Sequence, residues 1–325
     1  MIRNVLVTGG AGYIGSKITS DLINKNYNVV IIDNLSSGFK RLINNKAIFY
    51  KKNISDRQFL KKILIKHNIS VVVHCAASLD VNESEKFPKK YYQNNVYNTE
   101  NLLKSLNSTS VKFLLFSSTC AVYGNTRKVV NEKSKLNPLS VYGKTKLLCE
   151  NLIKKYSKKF KFKFVILRYF NVAGSDMKNG IGCLKMNNQL IKNLSLSVKN
   201  KKYKINIYGA DYNTKDGTCV RDYIHLNDIS KIHILSLKKL VDSNKSEIYN
   251  CGYGVGYTVE EIVKTFEKIT KKKFKINYLN RRKGDIEKIF SNIKKIEKKL
   301  NFRASKNSLL KIIKSSIEWE LLNDK

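Results

Sequence analysis

Thr8-Gly9-Gly10-Ala11-Gly12-Tyr13-Ile14-Gly15 is the stretch that most restricts how this chain can fold. It follows the apolar run Val5-Leu6-Val7 and opens an amphipathic run over residues 12–26. Between a strand and a helix, Gly9 allows the tight turn, Gly12 lets a pyrophosphate approach the backbone, and Gly15 lets helix and strand pack closely. The helix start at Tyr13 and Ile14 then offers free N–H groups and the positive end of a dipole to phosphates. Asp33 ends the second apolar run, eighteen residues after Gly15. A carboxylate there accepts from the adenosine ribose hydroxyls and repels a 2′-phosphate, which favours NAD over NADP.

The spacing continues in the same style. Apolar runs at 5–8, 29–33, 47–50, 71–74, 113–117 and 164–169 read as strands, with helices near 12–26, 56–67, 93–106 and 142–156. That alternation predicts an α/β fold with a doubly wound parallel sheet. The unbroken runs Val71-Val72-Val73 and Phe113-Leu114-Leu115-Phe116 suit strands buried on both faces. Residues 1–172 are expected to form the NAD-binding Rossmann domain, whose core also takes back about 219–255. Residues 173–325 are expected to form a smaller mixed α/β lobe over the carboxyl ends of the strands, where ligands bind in such sheets.

Composition narrows the function class. Lys and Arg number 62 against 25 Asp and Glu, a formal charge of +37. They are spread along the whole chain with no Arg-rich arm or nucleic-acid module, so no nucleic-acid role is expected. A positive field still attracts an anionic substrate such as a nucleotide diphosphate. The six cysteines form no C-x-x-C pair and no metal-like cluster with the four histidines. That predicts buried thiols, no metal and a reducing, cytoplasmic setting. No apolar run reaches membrane-spanning length, and the first strand begins too early to leave room for a signal peptide.

The chemistry is carried by two further segments. Ser117-Ser118-Thr119 ends an apolar strand, and Tyr142-Gly143-Lys144-Thr145-Lys146 begins a helix after Pro138. With 18 tyrosines and 62 basic residues, a Tyr with a basic residue four positions on arises by chance. The placement, 23 residues beyond a hydroxyl-terminated strand, singles this pair out. One helical turn puts Lys146 on the face of Tyr142, where an ammonium is expected to lower the phenol pKa from about 10. Lys146 can also bond the nicotinamide ribose, and Thr119 can share a proton between a substrate hydroxyl and Tyr142.

With these residues in view, the chain resembles the extended short-chain dehydrogenase/reductases, and among them the UDP-glucose 4-epimerase family, along essentially its whole length. The resemblance rests on residues 8–15, Asp33-Asn34-Leu35, Asn94-Asn95-Val96, 117–124, 142–146, Arg168-Tyr169-Phe170-Asn171, 216–228 and 281–285. The segment from Tyr208 through His225 is its most family-specific part. The resemblance implies that UDP-galactose and UDP-glucose interconvert through a 4-keto sugar, with retained NAD and a homodimer packed through two helices per subunit. It implies that Asn171 contacts the nucleotide-sugar, Arg221 and Arg282 its diphosphate and Asp285 the uridine ribose, with Tyr208 also on the substrate side. Gln189 stands where the family carries Asn or His near the phosphates. Asn34, Ile54, Asn95 and Tyr169 are implied on the cofactor side, and Asn53 stands where an Asp usually binds adenine. Leu79 lies near where some members place a Lys by the cofactor phosphates. Ile289 lies where a bulky Tyr restricts members to unacetylated sugars, so UDP-N-acetylglucosamine or a UDP-uronate is the alternative substrate.

Other classes fit less well. A 4,6-dehydratase needs an added Asp-Glu acid/base pair directly after the Thr, and those positions are Cys120 and Ala121. A non-catalytic dinucleotide sensor has no need of Thr119, Tyr142 and Lys146 together.

Overall fold

A computed structural model describes residues 3–126, 129–185, 189–282, 284–304 and 308–323. In the first half, strands β1 (Asn4–Thr8), β2 (Asn28–Asp33), β3 (Ile48–Lys51), β4 (Val71–His74), β5 (Phe113–Thr119) and β6 (Lys163–Tyr169) alternate with helices. Those helices are α1 (Tyr13–Asn24), α2 (Arg57–Lys66), α3 (Val81–Lys86), α4 (Pro88–Tyr91), α5 (Asn98–Ser105) and α6 (Val141–Phe160). The second half carries β7 (Asn171–Ala173), α7 (Leu190–Lys199), β8 (Lys204–Tyr208), β9 (Val220–His225), α8 (Leu226–Ser243) and β10 (Glu247–Cys251). It ends with β11 (Gly256–Thr258), α9 (Val259–Thr270), β12 (Lys275–Leu279), β13 (Lys288–Ile289), α10 (Lys294–Leu300) and α11 (Ser308–Leu322).

Seven parallel strands make the main sheet in the order β10-β6-β5-β4-β1-β2-β3. Its two faces are separated by residue parity, because successive side chains on a strand point opposite ways. Val5, Val7, Ile31, Val73 and Leu167 pack with Ile18 and Leu22 of α1 and Ile229 and Ile232 of α8. Leu6, Val30, Val72, Leu114 and Ile166 pack instead with Leu60 of α2, Leu102 of α5 and Ile153 of α6. The sheet is therefore covered on both sides, as its unbroken apolar strands require.

The strand order reverses between β4 and β1, and ligands settle outside the carboxyl ends of the strands at such a point. Thr8, Asp33, His74, Thr119 and Tyr169 are the last residues of their strands and lie at that end. The helix expected over 93–106 is divided. Tyr92–Tyr97 form a wider π-helical turn that runs directly into α5, a distortion that often marks a functional segment.

The smaller sheets are β11-β9-β13 with β7 on β9, and the pair β12-β8. Among the described residues no helix is long and apolar enough to cross a membrane, and no cluster of metal-ligating side chains occurs. No disulfide joins any of the six cysteines among the described residues.

Candidate active site

The glycine loop has the geometry its spacing demands. Gly9 turns at a φ of +75°, and a Cβ there would lie 2.7 Å from the Ala76 backbone nitrogen. A Cβ on Gly15 would lie 2.2 Å from the Gly9 carbonyl oxygen, so only glycine lets α1 approach its strand. Gly12 is the N-cap of α1, and no side chain caps that end, so its first amides remain for an anion. The side chain of Tyr13 turns away to donate to the Gly174 carbonyl, and Ile14 packs against the core.

Asp33 accepts from the Ala11 N–H at 3.0 Å and the Leu35 N–H at 2.8 Å. Burial raises its pKa and these two donors oppose the rise. Asn34 accepts from the Ser36 N–H. The amide oxygen of Asn53 is engaged by the Ser55 N–H and by Asn98, while the Ile54 side chain is core. Asn95 is buried in the π turn. It accepts from the Ser78 N–H at 2.8 Å and donates to the Ser78 carbonyl and to Thr145. It thus ties the loop after β4 to α6.

Tyr142 sits in the first turn of α6, whose N-cap Ser140 accepts from the Gly143 N–H at 3.1 Å. Two residues not singled out in the sequence complete that helix start. Ser84 accepts from the Tyr142 N–H at 3.1 Å, and Glu85 accepts from the Val141 N–H at 2.7 Å. Orphan amides near a helix N-terminus seek such acceptors, but acceptors nearly 60 residues away in sequence leave no local signal.

The Tyr142 hydroxyl lies near enough to Thr119 for that hydroxyl to oppose a rise in its pKa. Lys146 is almost wholly buried, with Nζ 4.5 Å from the centre of the Phe116 ring. Among the described residues no carboxylate pairs with that ammonium. One expectation is corrected here. Burial outweighs the nearby Thr119 hydroxyl and raises the Tyr142 pKa instead of lowering it. Burial also lowers that of Lys146. Both shifts follow from desolvation of the charged form.

Of the residues expected on the substrate side, Tyr208, Arg221, Arg282 and Asp285 lie together near the start of α6. Asp285 receives Arg282 at 2.8 Å and lies 3.9 Å from Arg221. The Arg282 guanidinium stacks on Tyr208 at 4.8 Å. A Cβ on Gly284 would lie 3.6 Å from Ser140, so this loop sits over the start of the Tyr142 helix. Cys120 is close enough to both Tyr142 and Arg221 to share their electrostatic fields. Its thiol is pushed up to about 12 by burial. Ile289 pairs in register with Arg221 and packs with Cys120, Val122 and Phe170. Asn171 lies in β7, opposite Tyr223. Gln189 is the exposed N-cap of α7, and Leu79 is exposed.

The profile of the NAD dependent epimerase/dehydratase family matches residues 5–252. The chain belongs to that family. It is 37% identical over 321 residues to a UDP-glucose 4-epimerase of Rhizobium meliloti (strain 1021), covering 98% of this chain and 97% of the relative. Its fold superposes with a TM-score of 0.92 on the UDP-glucose 4-epimerase of Brucella ovis in complex with NAD, at 34% identity and 98% coverage of both chains. The enzyme of Bifidobacterium longum in complex with NAD+ and UDP gives a TM-score of 0.90 at 31% identity, again covering 98% of both.

Family membership makes NAD the cofactor, and the site fits it. The uncapped amides of α1, the Asp33 carboxylate and the unpaired Lys146 ammonium offer a dinucleotide three distinct kinds of partner.

Proposed function

We propose that this chain is a UDP-glucose 4-epimerase that interconverts UDP-galactose and UDP-glucose. The observation that carries the reading is Tyr142, buried near the Thr119 hydroxyl and one helical turn before the buried Lys146, on a helix overlain by the Arg282–Asp285 loop. NAD, when bound, supplies the acceptor and later the donor for the C4 hydrogen of the sugar. Tyr142 takes the C4 hydroxyl proton and Thr119 holds that hydroxyl in line. Lys146 holds a ribose hydroxyl and keeps a positive charge near the phenol. Arg221 and Arg282 anchor the diphosphate as guanidinium forks. Asp285, which orients the Arg282 guanidinium and lies 3.9 Å from that of Arg221, also holds the uridine ribose. A sugar held only through its diphosphate can present either face to the same side, so the proton and hydrogen return on the opposite face. Cys120 and Ala121 supply no acid/base pair for dehydration, since the thiol is held protonated.

The test is proton NMR of purified protein with UDP-galactose and no added cofactor. Conversion to a mixture rich in UDP-glucose is expected. No conversion, with NAD confirmed in the denatured protein, would overturn the choice of sugar.

The reading extends to a cytoplasmic homodimer. Tyr97, at the end of the π turn, and Leu148, on α6, are large exposed apolar side chains on neighbouring elements. Exposed apolar groups on adjacent helices fit a packed interface. Light scattering should then give twice the chain mass of 37.4 kDa. A monomer at micromolar concentration would count against the dimer.

A further inference from the structure

Behind the catalytic strands runs a buried chain of hydrogen bonds that the reaction does not use directly. His233 of α8 places Nδ1 2.9 Å from the Ile229 carbonyl oxygen and Nε2 2.8 Å from the Tyr169 hydroxyl. The Tyr169 oxygen lies 2.8 Å from the Ser117 hydroxyl, which lies 3.3 Å from the Cys75 sulfur. His233 is fully buried, and its pKa is lowered to about 4 by that burial, so the ring is neutral.

The carbonyl fixes the direction of the chain. It can only accept, so Nδ1 carries the ring proton and Nε2 presents a lone pair. The Tyr169 phenol therefore donates to His233, and its oxygen is left to accept from Ser117, whose single hydrogen is shared between Tyr169 and the Cys75 sulfur. With both bonds made, the Tyr169 side chain has one orientation. Tyr169 is also the register partner of Thr119. The far end of the chain, Cys75, feels the charge of Lys146.

We infer that His233 is a positioning residue. By accepting the Tyr169 hydroxyl it fixes that ring beside the dinucleotide site and so sets how firmly NAD is retained. The inference rests on the proposed placement of Tyr169 among the cofactor residues.

The test is a double-mutant cycle read on cofactor retention. Wild type, H233L, Y169F and the H233L/Y169F pair are purified, and the rate of NAD loss on dilution is followed. H233L and Y169F should each speed loss roughly three- to tenfold, about the worth of one hydrogen bond. The double variant should be no faster than the faster single one, because both remove the same bond. H233Q, whose amide oxygen can receive the phenol, should return retention to within about twofold of wild type. KM for UDP-galactose, measured with saturating NAD, should stay near the wild-type value in H233L and H233Q. Equal acceleration by H233L in the wild-type and Y169F backgrounds would overturn the inference, as would an H233Q no better than H233L. Should H233L fail to fold, the same cycle with H233N decides the question, since that side chain is too short to bridge to the phenol. A wild-type chain that retains NAD without converting UDP-galactose would overturn the proposed activity, and the cycle would still be decisive.

Discussion

Replacing Tyr142 by Phe is expected to lower kcat for UDP-galactose conversion by roughly 10²–10⁴-fold, the usual worth of a positioned general base. The phenyl ring preserves the packing of a residue that is nearly buried, so UDP-sugar binding should stay within about twofold of wild type. The pH profile carries the sharper signature. Proton removal needs the phenolate, so the wild-type rate should rise with pH through the Tyr142 pKa. The Phe variant should lose that limb. Burial raises the phenol in the ligand-free chain, so opposing positive charge has to come from what surrounds it during turnover. Removing the ammonium with Lys146→Met should move the limb to higher pH, because a cation favours the phenolate. Steady-state rates across pH for the three proteins settle the matter. A Phe variant within a factor of two of wild type would take Tyr142 out of the mechanism.

The features legible in the sequence share one property: each is written on a single element or at a strand end. The glycine loop, Asp33, Thr119 and the Tyr142–Lys146 spacing are fixed by local backbone geometry, and the structure puts them all at one end of the sheet. The Arg282–Asp285 pair is likewise local, three residues apart. What stayed hidden is made by contacts between distant positions. Ser84 and Glu85 complete the start of α6 from a helix more than fifty residues earlier. Tyr169 meets His233 sixty-four residues on. The π turn at Tyr92–Tyr97 carries no breaker residue, so its apolar spacing reads as ordinary helix. The direction of the Tyr142 shift was missed for a similar reason. Spacing shows that an ammonium is one turn away, but the opposing desolvation depends on everything packed around the phenol.

Glu150→Ala is expected to cost about 3–5 kcal/mol of stability, the range for breaking a buried ion pair and leaving one charge behind. Glu150 follows Lys146 by one turn on α6 and meets Arg168 of β6 through two bonds, Nε–Oε1 at 3.0 Å and Nη2–Oε2 at 2.7 Å. Both side chains are essentially without solvent exposure. Ser118, the neighbour of Thr119, donates to the same carboxylate at 2.6 Å. Arg168 also donates to the Tyr123 hydroxyl at 2.9 Å, which in turn donates to Asn250 of β10 at 2.6 Å. Without Glu150 the guanidinium has no other ion-pair partner among the described residues, and the loss should appear in the midpoint of urea unfolding. A shift worth less than about 1 kcal/mol would show that water or a rearranged partner satisfies Arg168. The double replacement Glu150→Leu with Arg168→Met separates stability from positioning. Apolar side chains of similar volume often match or exceed a buried pair in stability, so unfolding should return to within about 1 kcal/mol of wild type. Activity should not return with it. The carboxylate binds both the strand that ends in Thr119 and the strand beside it to the helix that carries Tyr142 and Lys146. A misplacement on the order of 1 Å at such a site can cost about 10²-fold in rate. A double variant with wild-type stability and a depressed kcat would identify the pair as a device for holding the catalytic hydroxyls in register. Recovery of both would reduce it to a replaceable part of the core.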